Sequence, residues 1–355
     1  MTGVLCALMV ISYSPGFLTY YPGAAASAMA GAQVALADDA FANIYNPAGL
    51  GFQSVLSGNV EYNTEATFFD ASMHTWLATA AIPVVPRLTA GVFGRGWVYQ
   101  SVVGYPDSIQ YLMHEFTFGC AMGYRLGPRV GFGLALKYLG GYAGASSFTP
   151  ALAHDGAVDA GFRGEWPLWL GKLGIGAALQ NLGPPYRWTR NGTQEAIDTL
   201  PLSVRAGISY VVTMDRLAPG LVEMLFRHPA DWWAEHWRVV IAGDIYRIIT
   251  NGRRYSFPCD WGNQSHSLGV EIRPVPYLAF RFGHFDRGGL SYAGGWTIGL
   301  GLDMKYLRLD IADDEAMLKS GYARNQYRRL RWTLGVELDR LLNTKRHAAS
   351  PERPG

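Results

Sequence analysis

Cysteine is scarce in this chain: three residues out of 355, at Cys6, Cys120 and Cys259. They are odd in number and far apart, which excludes a disulfide framework and a cysteine metal spacing. Charge is also sparse, at 16% of residues with a formal net charge of +2. There is no basic run and no aromatic-plus-basic module, so nucleic acid is not a partner. Beyond the N-terminal region no stretch of ~18 uncharged apolar residues occurs, so transmembrane helices are not expected. No Gly-x-Ser-x-Gly elbow is present, and His114, His154, His228, His236, His266 and His284 are scattered. Nothing assembles a nucleophile, a histidine and an orienting acid, so no catalytic residue, metal or cofactor is implied and an enzyme is not expected.

What the chain has in abundance is alternation. In residues 202–210, Leu202, Val204, Ala206, Ile208 and Tyr210 fall on one face, and Ser203, Arg205, Gly207 and Ser209 on the other. A period of two is the mark of a β-strand with one apolar and one polar side. Phe132, Leu134, Leu136 and Tyr138 oppose Gly131, Gly133, Ala135 and Lys137 in the same way, as do Trp296, Ile298, Leu300 and Leu302 against Thr297, Gly299, Gly301 and Asp303. Few helical segments are available to cover so much bulky surface. Large residues outside and small or polar ones inside fit a barrel whose solvent is lipid. The 43 glycines suit a crowded inner face, and the 20 tyrosines and 11 tryptophans suit the two membrane interfaces. Cys120 lies on the bulky face and reads as a small hydrophobe.

About fourteen segments have the ~10-residue length of a tilted spanning strand. They are 54–62, 73–83, 88–97, 114–125, 129–140, 155–166, 170–181, 201–212, 237–248, 265–273, 277–285, 294–304, 305–313 and 330–340. Connections alternate between short turns and long loops, the long ones being 98–113, 141–154, 182–200, 249–264 and 314–329. Short turns belong on the periplasmic side and long loops outside. Residues 213–236 break this alternation and read as a short amphipathic helix, either at the inner interface or plugging the lumen. Residues 4–11 form a short apolar run that is either part of a leader or a buried segment. The chain thus divides into a leader (1–22), an N-terminal segment that does not alternate (23–53), the barrel (54–342) and a polar tail (343–355).

The N-terminal segment carries a series of motifs in order. Gly23, Ala24, Ala25 and Ala26 open it, Met29-Ala30-Gly31-Ala32 follows, then Ala35-Leu36-Ala37-Asp38-Asp39, then Asn46-Pro47-Ala48-Gly49-Leu50. A second set is Ala178-Leu179-Gln180-Asn181-Leu182-Gly183-Pro184-Pro185, followed after a loop by Leu200-Pro201-Leu202-Ser203-Val204-Arg205. In this order the motifs resemble the FadL-type barrel superfamily, and within it the PorV/PorQ branch associated with type IX secretion. The resemblance extends over roughly residues 22 to 340. It implies an all-β, fourteen-stranded transmembrane barrel in a Gram-negative-type outer membrane, with the N-terminal segment tucked inside as a hatch.

Within that hatch, Pro47 pushes Asn46 out of the helical region, and Asn46 is placed to cap backbone groups. Asp38 and Asp39 are expected to pair with Arg205, Arg273 or Arg281. Lys137, Lys172, Arg205, Asp244, Glu271, Arg273, Asp303, Arg331 and Glu337 are expected to line the lumen, with Gln180 and Asp310 beside them. The main functional expectation is surface delivery or retention of secreted proteins, with secreted cargo or secretion components as partners. Tyr186, Trp188, Tyr255, Trp261 and Tyr322 in the external loops are the expected contacts, since aromatic residues anchor interfaces. The alternative is passage of a long-chain hydrophobic molecule, a lipid ligand, through the same barrel.

Overall fold

The computed structural model describes residues 18, 22–37, 39–66, 72–103, 109–145, 148–213, 238–249, 265–275, 277–286, 295–304, 306–313 and 330–338. Apart from Leu18, Pro22 and Thr213, the expected leader, the segment 213–236 read as a helix and the polar tail lie outside these residues, as do Asp38, Tyr255, Trp261 and Tyr322. The first eight strands are β1 (Ser57–Ala66), β2 (Ser72–Val85), β3 (Leu88–Val103), β4 (Ile109–Arg125), β5 (Val130–Ala145), β6 (Phe148–Leu168), β7 (Gly171–Leu182) and β8 (Tyr186–Arg190). The rest are β9 (Thr193–Asp198), β10 (Ser203–Thr213), β11 (Arg238–Ile248), β12 (Ser265–Val275), β13 (Leu278–Asp286), β14 (Gly295–Asp303), β15 (Leu307–Asp313) and β16 (Leu330–Glu337).

Fourteen of these strands close into one antiparallel ring. Consecutive strands pair from β1 to β7, β7 pairs with β10, and the ladder runs on through β16 back to β1. Closure leaves no wall strand with a free edge, the condition for crossing a medium that offers no hydrogen bonds. Each wall strand corresponds to one of the segments expected from alternation.

Three of the expected long loops are different from the sequence reading. β3 and β4 stay paired as far as Val103 and Ile109, and β5 and β6 as far as Ala145 and Phe148. Segments 98–113 and 141–154 are therefore mostly paired strand, not loop. Sequences such as Gly140-Gly141-Tyr142-Ala143-Gly144-Ala145 do not alternate in polarity, but pairing is a backbone property and needs no side-chain pattern. In 182–200, β8 and β9 form a hairpin outside the ring that pairs only with β6 and with itself. Its turn is Asn191-Gly192, both at positive φ (51° and 76°), as a tight two-residue hairpin turn requires.

Side chains alternate as expected. Phe132, Leu134, Leu136 and Tyr138 stand outside with about half of their surface uncovered, while Ala135, Lys137 and Leu139 face inward and are buried. Cys120 is on the outer face.

The inner space is filled by residues 22–53. Two short helices, α1 (Ala24–Ala28) and α2 (Ala42–Tyr45), and a 3-10 turn (Pro47–Phe52) follow one another through it. Asn46 is extended (φ −161°, ψ 102°), breaking α2 from the turn, and Pro47 takes the first position of the turn, where no amide donor is needed. The apolar core sits here: Phe41, Ile44, Tyr45 and Leu50 pack against the inward Leu77, Phe93 and Phe285. Small residues permit this close fit. A Cβ added at Gly133 on β5 would run into the backbone of Pro47 and Ala48.

Two substitutions separate the outer and inner faces. Leu136→Arg places a charge in the apolar outer band and should destabilise the barrel by about 2–4 kcal/mol in lipid vesicles. Gly133→Leu should cost about 1–3 kcal/mol by overpacking against the 3-10 turn. Urea unfolding followed by tryptophan fluorescence reads both. Leu136→Arg with unchanged stability in lipid would contradict an outer face in hydrocarbon.

Candidate functional site

The candidate site is the filled lumen. Inward polar side chains from strands around the ring hold residues 22–53 by their backbone. Glu61 on β1 accepts from Gly23 N (2.6 Å), and Thr333 on β16 from Ala24 N (2.7 Å). Asp244 on β11 accepts from both Gln33 N (2.7 Å) and Val34 N (2.9 Å). Arg163 on β6 donates to Ala37 O (2.7 Å), Gln180 on β7 to Ile44 O (2.5 Å), and Thr297 on β14 to Ala28 O (2.9 Å). From the other side, Asn43 donates to Thr79 Oγ1 (2.8 Å) and Ala80 O (2.9 Å).

Asn46 is the most heavily used of the motif residues. Its Nδ2 donates to Val34 O (2.8 Å) and Phe162 O (2.9 Å), and its Oδ1 accepts from Ala48 N (3.2 Å). One buried amide thus ties the segment to itself and to β6. Pro47, Ala48 and Gly49 are buried beside it.

Towards the short-turn end lies a cavity of about 180 Å3. Met29, Leu36 and Phe41 form its apolar side and Arg163, Lys172, Arg238, Glu271, Arg281 and Arg308 its charged side. Glu271 is the hub. It accepts from Arg281 Nε (2.7 Å), Arg273 Nε (2.9 Å) and Arg238 Nε (3.1 Å). Arg281 Nη1 also reaches Asp310 (2.7 Å), which takes Arg308 Nε at 2.8 Å, and Arg273 Nη1 lies 3.5 Å from Asp303. The charges thus interlock in one network from β11 to β15. On the far side of the filling segment, Lys137 pairs with Asp159 (2.6 Å) and with Asn181, and Arg331 with Glu61 (3.1 Å).

Most of the expected lining residues face inward. Lys137, Arg205, Asp244, Glu271, Arg273 and Arg331 are buried there with Gln180 and Asp310, and Asp303 and Glu337 sit at strand ends, half-buried. Lys172 is exposed at the cavity rim because it is the second residue of β7, next to a turn.

Two expectations need correction. Asp39 forms an ion pair with Arg308 at 3.9 Å, a residue outside the expected set. Arg273 and Arg281 turn to Glu271 instead, and Arg205 stacks over the Tyr246 ring at 4.3 Å. The reason is geometry: Asp39 caps Phe41 N (2.9 Å) and so stays near the β15 side of the cavity. Tyr186 and Trp188 are not on the external surface. Both are fully buried, because β8 pairs alongside β6 with Trp188 opposite Ala153, which puts its side chain on the inward face.

The sequence reading also missed Glu61, Asp159 and Arg163. All three occupy inward positions on alternating strands, so parity was an available signal; Glu61 lies between Asn59 and Asn63, which are also buried.

No family model matches the chain, and no curated protein matches it by sequence. Solved structures do match. The toluene transporter TbuX of Ralstonia pickettii aligns over 88% of this chain and 97% of its own, with 11% identity and a TM-score of 0.52. The toluene transporter TodX of P. putida aligns over 88% and 95%, with 12% identity and a TM-score of 0.50. What the chain shares with these two structures is the fold of the closed barrel. At these identities the likeness is one of fold, and it lends no support to the narrower PorV/PorQ branch. CdiB of Acinetobacter baumannii, at a TM-score of 0.42 with 60% of its chain covered, is too loose a match to carry an argument.

Removing the hub charge should be costly. Glu271→Leu takes a shared carboxylate from three buried or half-buried guanidinium groups, of which Arg281 keeps Asp310 and Arg273 lies near Asp303, and should destabilise the barrel by about 3–5 kcal/mol. Lys172→Ala at the rim should stay within about 0.5 kcal/mol. Asn46→Ala removes the donor to the buried Val34 O and the tie to β6, at about 1–3 kcal/mol. Equilibrium unfolding in detergent measures all three. Equal effects for Glu271→Leu and Lys172→Ala would contradict the hub.

Proposed function

We propose that this chain resides in the outer membrane of a Gram-negative-type bacterium and passes hydrophobic molecules across it. The observation that carries this reading is the combination of a closed fourteen-stranded wall with a lumen filled by the N-terminal segment. A filled barrel is not an open pore for polar solutes, and passage then requires the filling to yield to a suitable ligand. The similarity in fold to two toluene transporters supports the same reading. In it, residues 23–53 act as a hatch held by Asn46, Asp244 and Arg163, beside the charged network around Glu271.

The other reading, delivery or retention of secreted proteins, rested on aromatic residues of the external loops. Two of its five anchors, Tyr186 and Trp188, point into the barrel. The two structures compared above are of toluene transporters and lend it no support.

Proteoliposomes carrying the purified barrel should take up radiolabelled toluene or a long-chain fatty acid saturably, above protein-free vesicles. Deleting residues 23–52 should replace this with unsaturable leak that also admits small polar solutes. Uptake of every apolar solute at the protein-free rate would sink the transport reading.

A further inference from the structure

The outer wall carries histidine at one end. Among the described residues the histidines are His74 on β2, His114 on β4, His154 on β6, His266 on β12 and His284 on β13. All of them stand outward. Met73 and Thr75, which bracket His74, are inward and buried, as are Met113 and Glu115 around His114, and the other three follow the same parity. All of them also lie toward the end away from the short turns. β2 begins at that end with Ser72 and β12 with Ser265, and β13 finishes there with Asp286. His74 and His114 share one register row, with Val98 between them.

The rest of the outer face differs. At the described outward positions of the wall strands, the Lys, Arg, Asp and Glu side chains are Arg247, Asp286 and Asp313, and these close their strands at the same end. Toward the short turns the outward side chains are apolar or tyrosine, such as Tyr124, Phe132 and Leu302. Aromatic rings accompany the imidazoles. Tyr62 stacks on His74 with centroids 5.9 Å apart, Phe116 lies 5.2 Å from His114, and Trp296 lies 4.7 Å from His284. Such rings mark the boundary between hydrocarbon and headgroups. The histidines therefore stand at the depth of the headgroups of one leaflet.

Their nitrogens are placed for a partner outside the protein. Tyr62 OH and Thr64 Oγ1 each lie 3.1 Å from His74 Nδ1, which leaves Nε2 for another group. His114 Nε2 has no hydrogen-bond partner among the described residues. The ionisable groups around the imidazoles are Tyr62 at His74, Tyr142 opposite His114, Asp155 and Arg187 beside His154, and Asp286 and Arg247 around His266. His284 faces Leu268 and Trp296. Imidazole changes charge between about pH 5 and 8, so it can stand neutral at the edge of hydrocarbon, where Lys or Arg stays charged at a cost. Once protonated, it makes a charge-assisted hydrogen bond to an anion. The anion found at headgroup depth is lipid phosphate.

We propose that these histidines form a belt that binds the phosphates of anionic lipid headgroups in the leaflet away from the short turns, and releases them as the imidazoles deprotonate. The inference rests on the reading that this chain resides in a membrane. It is independent of what the barrel passes.

The test uses the full chain in detergent with equal amounts of phosphatidylglycerol and phosphatidylcholine, and native mass spectrometry counts the lipid retained. The phosphodiester of each keeps its charge across the range used, so a pH effect belongs to the protein. At about pH 5.5 the parent should retain phosphatidylglycerol over phosphatidylcholine roughly tenfold, and at about pH 8 nearly equally. This comparison needs no substitution. Replacing His74, His114, His154, His266 and His284 with glutamine should erase the preference at the lower pH, with folding checked by heat-modifiable gel mobility. Arg87→Gln with Arg129→Gln, exposed on short turns at the other end, should leave the pH-dependent part unchanged. A parent preference that does not vary with pH, a folded glutamine variant that keeps it, or its loss in the arginine variant would each overturn the belt while leaving the membrane reading intact. Failure of the parent to insert into phosphatidylcholine vesicles would sink the membrane reading, and the belt with it.

Discussion

Every strand of the wall must have its backbone hydrogen bonds satisfied by a neighbouring strand, because hydrocarbon supplies none. Closure of the ring is the constraint from which the rest of this structure follows. It fixes an even set of antiparallel strands, β1 to β7 and β10 to β16. It makes the side-chain period of two a division between lipid and lumen. It also puts charged groups on the inside, where they must find partners. Glu271 with its three arginines, Asp310 with two, and Lys137 with Asp159 are solutions to that demand.

The filling segment exploits the same inner surface. Its helices are too short to be stable alone, so their form depends on the wall around them. Inward Glu61, Thr333 and Gln180 take up backbone groups at or in the short helices, and Asp244 and Arg163 take up those of the chain between them. Asn46 does the same from within the segment. Packing is permitted by small residues on both sides, alanines on the segment and glycines such as Gly133 on the wall. The result is a cavity bordered by interlocked charges near the short turns, and an apolar cluster around Tyr186 and Trp188 at the other end.

Much of this was legible because barrel strands carry their own label. Phe132 to Tyr138 alternates strictly with Gly131 to Lys137, and that pattern locates β5 and assigns its faces. Inward placement of Arg205, Asp244 and Glu271 follows from counting by twos. The same counting would have found Glu61 and Arg163. It was silent where β5 and β6 run on through Gly140 to Ala145, since those residues lack a polarity contrast. The β8–β9 hairpin did carry a signal, Asn191-Gly192, but that dipeptide marks a turn and does not say on which side of a wall the hairpin falls.

The sequence by itself determined the strand number, the faces of the wall and the identity of the inward polar groups, because each depends on local periodicity and on what lipid tolerates. It also marked residues 23–50 as something other than a strand. Only the tertiary structure decided which charges pair and where the loop aromatics go. Asp39 meets Arg308 and not Arg281, and Trp188 turns into the lumen and not toward a partner, because both depend on distances across the ring between residues far apart in the chain. Such distances are set by closure and by the space that small inward residues leave, and no local pattern encodes them.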